Sequence, residues 1–97
     1  MILARNYRSR GGEVDIVARD GATTVFVEVK ERRGTSHGEG FESVTASKRG
    51  RIVSAARVYA ARQGLSESPL RFDVISIDWT AGSPQIRHDQ DAFSAGS

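Results

Sequence analysis

Two runs rich in β-branched residues, Glu13 to Arg19 and Thr23 to Glu31, are separated by little more than the dipeptide Asp20-Gly21. Asp-Gly tolerates the positive φ that a tight connection needs, so the pair folds the chain back on itself as an antiparallel β-hairpin. That single element constrains everything around it. Side chains alternate across a strand, so Phe26, Glu28 and Lys30 share one face of the third strand and Val25, Val27 and Val29 the other. In the second strand Glu13, Asp15 and Val17 share a face, opposite Val14, Ile16 and Ala18.

Register follows from the same alternation. Pairings whose residue numbers add to an odd value, such as 41 or 43, keep like faces together, and an even sum would bury a charged set. A sum of 43 sets Asp15 across from Glu28, with β-carbons ~4.5–5.5 Å apart, and a sum of 41 makes them diagonal neighbours at ~7–8 Å. The valine-rich faces are expected to join against the core, leaving Glu13, Asp15, Glu28 and Lys30 to project together from the opposite side.

The rest of the chain supplies further elements. Residues 2–8 read as a first strand and Ser9 to Gly12 as a turn. Residues 32–40, with Gly34, Gly38, Gly40 and His37, read as a mobile loop. A helix is expected over residues 44–63, capped by Ser43 or Thr45 and ended by Gly64, with Ile52, Val53, Ala56, Tyr59 and Ala60 as its buried stripe. Leu70 to Trp79 alternate as a fourth strand, with Phe72, Val74 and Ser76 on one face and Asp73, Ile75 and Ile77 on the other. Asp73 reads either as a buried, paired acid or as an exposed neighbour of the acidic set. After a turn at Gly82 to Pro84, Gln85 to His88 add a short edge strand. The expected fold is α/β: a small mixed sheet of four to five strands with an antiparallel hairpin and one main helix. One domain is expected over residues 1–89, with 90–97 as a frayed tail.

Composition excludes several classes. The 97-residue chain has no cysteine, which removes disulfides and thiolate metal sites, and its two histidines, His37 and His88, are too far apart in sequence to suggest zinc. No apolar run approaches the ~18 residues that span a bilayer. No secretion leader is visible, so a cytoplasmic protein without membrane contact is expected. The net charge of +2 leans only mildly toward polyanions. Its distribution says more, because all the cationic residues except Lys30 and Lys48 are arginine, whose planar fork suits phosphate oxygens. They cluster at Arg5, Arg8 and Arg10, at Lys30, Arg32 and Arg33, and at Lys48, Arg49 and Arg51.

Two carboxylates in contact repel and raise a pKa unless a cation compensates. Asp15 and Glu28, with Glu13 nearby, therefore suit a hard divalent ion with oxygen ligands, magnesium or manganese. Such an ion binds a phosphate oxygen and lowers the pKa of a water, while Lys30 orients that water or offsets charge on the phosphate. Read without chemistry, the same alternation is simply a solvated, salt-bridged strand face.

Gly-Gly-Glu-Val-Asp-Ile-Val-Ala-Arg (11–19), Val-Phe-Val-Glu-Val-Lys-Glu-Arg-Arg (25–33), Val-Thr-Ala-Ser-Lys-Arg-Gly-Arg-Ile (44–52) and Arg-Phe-Asp-Val-Ile (71–75) together resemble the YraN-like family of small bacterial proteins. That family is classed with Holliday-junction-resolvase-like members of the PD-(D/E)XK nuclease superfamily. The resemblance implies a restriction-endonuclease-like core, here without the usual N-terminal helix, and a metal-dependent endonuclease acting on DNA, including branched DNA. It implies Asp15 and Glu28 as ligands of Mg²⁺ or Mn²⁺, Lys30 as the catalytic lysine, and Lys48 as a supporting group beside Glu13. Arg10, Arg32, Arg33, Lys48, Arg49 and Arg51 are the expected nucleic-acid contacts. A resolvase-like enzyme on a two-fold junction needs two sites, so a homodimer is expected as well. The alternatives are a non-catalytic nucleic-acid-binding module of the same fold and a scaffold or assembly protein.

Overall fold

A two-residue turn, Gly21-Ala22, closes the hairpin, with Gly21 at φ 62° and Asp20 paired to Thr23 across it. The computed structural model describes residues 1–32, 44–79 and 82–95 and builds a five-stranded sheet around this hairpin. In chain order the elements are β1 (Ile2–Ser9), β2 (Gly12–Asp20), β3 (Thr23–Arg32), α1 (Ala46–Arg62), β4 (Leu70–Asp78) and β5 (Gln85–Phe93). The strands lie in the order β1-β2-β3-β4-β5, and every neighbouring pair is antiparallel except β3 and β4. A parallel pair needs a long crossover, and the segment containing α1 provides it. The expected α/β architecture, a small mixed sheet with one helix, is the observed one.

Local chemistry sets the helix ends. Thr45 caps the start, its hydroxyl accepting from the Lys48 backbone N–H at 3.2 Å. At the other end Gly64 takes φ 69°, and the Leu65 N–H donates to the Ala60 carbonyl at 2.7 Å, closing the last turn. Ser43 and the expected loop at 32–40, apart from Arg32, lie outside the described residues.

The hairpin register adds to 43, as in Val17↔Phe26 and Ile16↔Val27, which is one of the two sums the sequence allows. The choice of core face differs from expectation. Val17, Phe26, Phe72 and Val74, on the face that also carries Glu28, form the core together with Ile52, Ala55, Ala56 and Tyr59 of α1, which packs chiefly on β2. Phe26 lies 5.6 Å from Phe72 in a stacked pair and 5.9 Å from Tyr59 edge-on. Aromatic rings bury more surface than valines, so the helix packs on the phenylalanine side. Val25 and Val27 are buried on the other side as well, which leaves β3 covered on both faces along Thr24 to Val27.

A second departure concerns alternation in β2. Val14 and Val17 both sit in the helix-side core, although three residues apart in an unbroken strand they would face opposite ways. In β1, Ala4 and Tyr7 do the same. Asn6, in the left-handed region at φ 50°, lies between the pairs Arg5↔Ile16 and Tyr7↔Val14, opposite Asp15. The two strands kink together there, and the kink sets Asp15 apart from the regular ladder.

The chain end also differs from a frayed tail starting at residue 90. β5 continues past His88 to Phe93, which is buried and stacks on Phe72 at 5.1 Å. Asp73 is the polar clasp that holds it. Its carboxylate, 1% exposed, accepts from Arg71 Nε and Nη2 at 2.9 and 3.0 Å, from His88 Nε2 at 2.8 Å and from the Asp91 N–H at 2.9 Å. Burial works to raise the Asp73 pKa, but these donors outweigh it and hold the carboxyl below its usual value. Asp73 is thus the buried, paired acid, on the sheet face away from α1.

If Phe93 is a core residue, Phe93→Ala should lower unfolding free energy by ~3–5 kcal/mol in denaturant melts, as large-to-small aromatic truncations do. A change within experimental error would mean that residues 89–93 do not pack as a strand.

Candidate functional site

Strands β2 and β3 pair regularly from the turn as far as Ile16↔Val27 and then part. At the point of parting the Asp15 carboxylate takes the place of a backbone acceptor: its Oδ2 receives the Val29 N–H at 2.8 Å. The side chain therefore reaches toward β3 rather than standing on the sheet. Glu28, the neighbour of Val29, lies within hydrogen-bond reach of Asp15. Register would set these two acids opposite each other, and the kink at Asn6 and Asp15 is what turns the second into the gap.

Helix α1 closes the gap from above. Glycine at position 12 is required for this approach, because a β-carbon there would meet the Arg51 carbonyl oxygen at 2.0 Å. With the helix so close to the start of β2, Lys48 and Arg51 come to the rim. Asp15, Glu28, Glu13, Lys48, Arg51 and the edge of Ile52 line a hollow of about 210 Å³.

Its electrostatics are those of a charge pair under strain. Glu28 is half-buried and its pKa is pushed up from 4.5 to about 7. Burial is the largest cause, followed by the hydrogen bond to Asp15 and the charge of Asp15; Glu13 adds a smaller push, and only Lys48 opposes. Glu28 thus holds its proton to near neutral pH, in a hydrogen bond with Asp15. This is the behaviour expected of two carboxylates in contact in a partly buried place. The donor set consists of hard oxygens, which fits an ion of the magnesium or manganese kind.

Other sequence-derived candidates fall in different places. Glu13 stands at the rim but is engaged by arginines, with Oε2 3.4 Å from Arg8 Nε and Oε1 3.4 Å from Arg51 Nη2. Among the described residues no three His, Cys, Asp or Glu groups converge as a metal site. Lys30 lies two residues beyond Glu28 on β3, half-buried, and is not among the residues lining the hollow. Arg49 lines a separate groove on the far side of α1 with Val53 and Arg57. Arg10 is exposed in the β1–β2 turn, Arg32 ends β3, and Arg33 lies outside the described residues. Trp79, whose indole Nε1 donates to Glu31 at 2.9 Å, and Tyr59, buried in the core, serve structure rather than the hollow.

Sequence reasoning missed Arg8 and Gly12 as parts of this site. Arg8 was legible only as one of three arginines before a turn, and Gly12 only as a turn residue. The signal that could have found them is the pairing Arg8↔Glu13, which follows once the first hairpin is closed at Arg10-Gly11.

A family model described as "Uncharacterised protein family UPF0102" matches residues 1–77. A UPF0102 protein of Geobacter metallireducens is 50% identical over 92 residues, covering 95% of this chain and 75% of the relative. One from Symbiobacterium thermophilum is 46% identical over 95 residues, covering 97% and 80%. One from Nocardia farcinica is 47% identical over 93 residues, covering 95% and 73%. Among the described residues no helix is long and apolar enough to cross a membrane.

The Glu28 shift fixes the sign of a pH effect. Its value is higher in the folded state, so the folded state holds the proton more tightly. The stabilisation is complete below about 4.5 and is lost as pH rises toward about 7. Thermal melts of metal-free protein across that window should show Glu28→Gln lacking this part of the decline and melting above the wild type on the alkaline side. A wild-type-to-variant difference that stays constant with pH would contradict the coupled acid pair.

Proposed function

The chain belongs to the uncharacterised protein family UPF0102, the YraN-like family that its sequence resembles, and we propose that its acidic hollow hydrolyses phosphodiester bonds of DNA with the help of a divalent cation. The observation that carries this reading is the Asp15–Glu28 pair: two half-buried carboxylates in hydrogen-bond contact, one of them still protonated near neutral pH. Repulsion of that kind is relieved by a hard cation, and oxygen ligands favour Mg²⁺ or Mn²⁺.

Asp15 and Glu28 would hold the ion. When bound, it supplies Lewis-acid polarisation of a phosphate oxygen and makes a water more acidic. Asp15 also keeps its bond to the Val29 N–H, which locks the carboxylate in place without consuming its second oxygen. Lys48 brings a compensating charge from α1, and that charge pulls the Glu28 pKa down. Lys30, further along β3, would meet the phosphate side of a bound strand and offset charge that builds there. Preference for branched DNA and the pairing of two chains on one junction rest on the family resemblance.

One observation favours the non-catalytic nucleic-acid-binding module: Lys30 is not among the side chains around the hollow. The two readings part in a single set of measurements. Calorimetric titration with Mn²⁺ at near-neutral pH should show binding with proton release in the wild type, lost in Asp15→Asn and Glu28→Gln. Cleavage of linear, nicked and four-way DNA should fall by ~10²-fold or more in Lys30→Ala while Mn²⁺ binding persists. DNA binding without Mn²⁺-dependent cleavage would select the binding module. Indifference to Mn²⁺ in the wild type would end the metal reading altogether.

A further inference from the structure

Beside the acidic hollow, and sharing Glu13 and Arg51 with it, lies a second depression of about 330 Å³ lined by Arg8, Ser9, Gly12, Glu13 and Arg51. Its composition is unusual for a surface hollow. Two guanidiniums from different elements, β1 and α1, face one carboxylate between them, each at 3.4 Å. Those are loose contacts for charge-assisted bonds, which close to ~2.7–2.9 Å when well formed. The three side chains are all solvent-exposed in large part, at 79% for Arg8, 58% for Arg51 and 49% for Glu13. Such pairs are individually worth only ~0.2–1 kcal/mol. Ser9 also lines this depression, and its buried hydroxyl has no hydrogen-bond partner among the described residues. The backbone, by contrast, is firmly set: Arg8 pairs with Glu13 in the ladder, and the glycine at position 12 holds Arg51 against β2.

We infer that this depression is a phosphate subsite for a nucleic-acid backbone, in which Arg8 and Arg51 grip a phosphate adjacent to the one at the acidic hollow and Glu13 is the internal anion it displaces. A tetrahedral dianionic or monoanionic phosphate offers more acceptor oxygens than a carboxylate, and arginine's fork matches it. The Ser9 hydroxyl, buried and unpartnered, would be a further donor if its side chain turned toward the phosphate. Because Glu13 lines both hollows, its release from the arginines leaves it free to swing toward Asp15 and Glu28. The inference deepens the nucleic-acid reading above and assigns Arg8 and Ser9 a role that the family resemblance did not give them. It also inverts the role of Glu13, from a supporting group of the metal site to a competitor for the arginines.

The test uses the full chain and fluorescein-labelled short DNA, duplex and single-stranded, in EDTA, so that neither metal nor cleavage enters the readout. Fluorescence anisotropy should show Glu13→Gln binding about two- to fivefold more tightly, the range set by losing an exposed internal ion pair. Arg8→Ala and Arg51→Ala should each weaken binding and lower the slope of log affinity against log salt by about one, and more than Arg62→Ala at the far end of α1. In the Arg8→Ala/Arg51→Ala double variant, Glu13→Gln should bring no gain. Thermal melts of each variant establish that the fold is intact, and all these side chains are exposed enough to replace. Unchanged or weaker binding in Glu13→Gln, a gain that survives removal of both arginines, or no DNA binding by any variant would each overturn the subsite. Cleavage with Mn²⁺ is scored separately on the same proteins: loss of cleavage with this binding pattern intact counts against the hydrolytic function alone.

Discussion

One hydrogen bond organises the working end of this molecule, the one from the Val29 N–H to the Asp15 carboxylate. A buried or half-buried backbone donor must find an acceptor, and in a regular antiparallel ladder a carbonyl on β2 would provide it. Here a charged side chain does so, which lets β2 peel away from β3 without leaving the donor unmet. The consequence reaches both strands. β1 follows the kink through the left-handed Asn6, so Tyr7 and Val14 return to the helix-side core and contact is kept on both sides of the break. A gap opens, yet the core beneath it remains closed.

The gap would be a hydrophilic notch of no consequence if it were fully solvated. It is not, because α1 comes down on β2 at Gly12, where only a hydrogen atom fits. Partial burial strengthens each charge interaction inside the hollow relative to one in water. It also explains why burial, rather than the neighbouring Asp15, is the leading influence on Glu28. The same close approach brings Arg51 between two hollows, so one packing contact sets the geometry of both. Substitution at Gly12 would therefore move the acid pair and the arginine pair together.

Much of this was legible in the sequence, and the limits are instructive. The Asp-Gly signal marked a hairpin, and burial of charge excluded even register sums, which left Asp15 either opposite Glu28 or diagonal to it; the sum of 43 is the first of these. The Thr45 cap and the Gly64 terminus were likewise local chemistry. The face of the sheet that meets the helix was not local. Valines on one side and phenylalanines on the other both read as apolar, and the choice depends on where the crossover places α1. Alternation also fails silently at Asn6 and Asp15, since nothing in Asn-Tyr or Val-Asp announces a kink. Phe93 was lost for a different reason: its partners, Phe72 and the Asp73 clasp, lie about twenty residues back, and the polar stretch before it resembles a tail. Ala55, fully buried and three residues after Ile52, belongs to the same helical stripe as Ala56 and Ala60, and helical spacing alone could have included it.

The placement of charge on α1 shows that its basic edge is set by partners outside the helix rather than by local helix stability. Positive charge near a helix N-terminus opposes the macrodipole and costs ~0.3–1 kcal/mol per residue, whereas acids there are favourable. Helix α1 has no acid in its first turn, and instead carries Lys48 and Arg49 there, with Arg51 just beyond. Local helix stability would select the opposite pattern. What offsets the cost lies outside the helix: Lys48 lowers the burden on Glu28, and Arg51 answers Glu13. Three carboxylates and the basic start of a helix thus neutralise one another across a gap that neither would form alone. A surface so balanced changes charge sharply when either partner is taken up, the acids by a cation or the arginines by an anion. On the proposed reading a metal ion would displace the proton held by Glu28 and a phosphate would release Glu13, so the two ligands would act on the same electrostatic balance from opposite sides. A metal and a polyanion are therefore expected to favour each other's binding here.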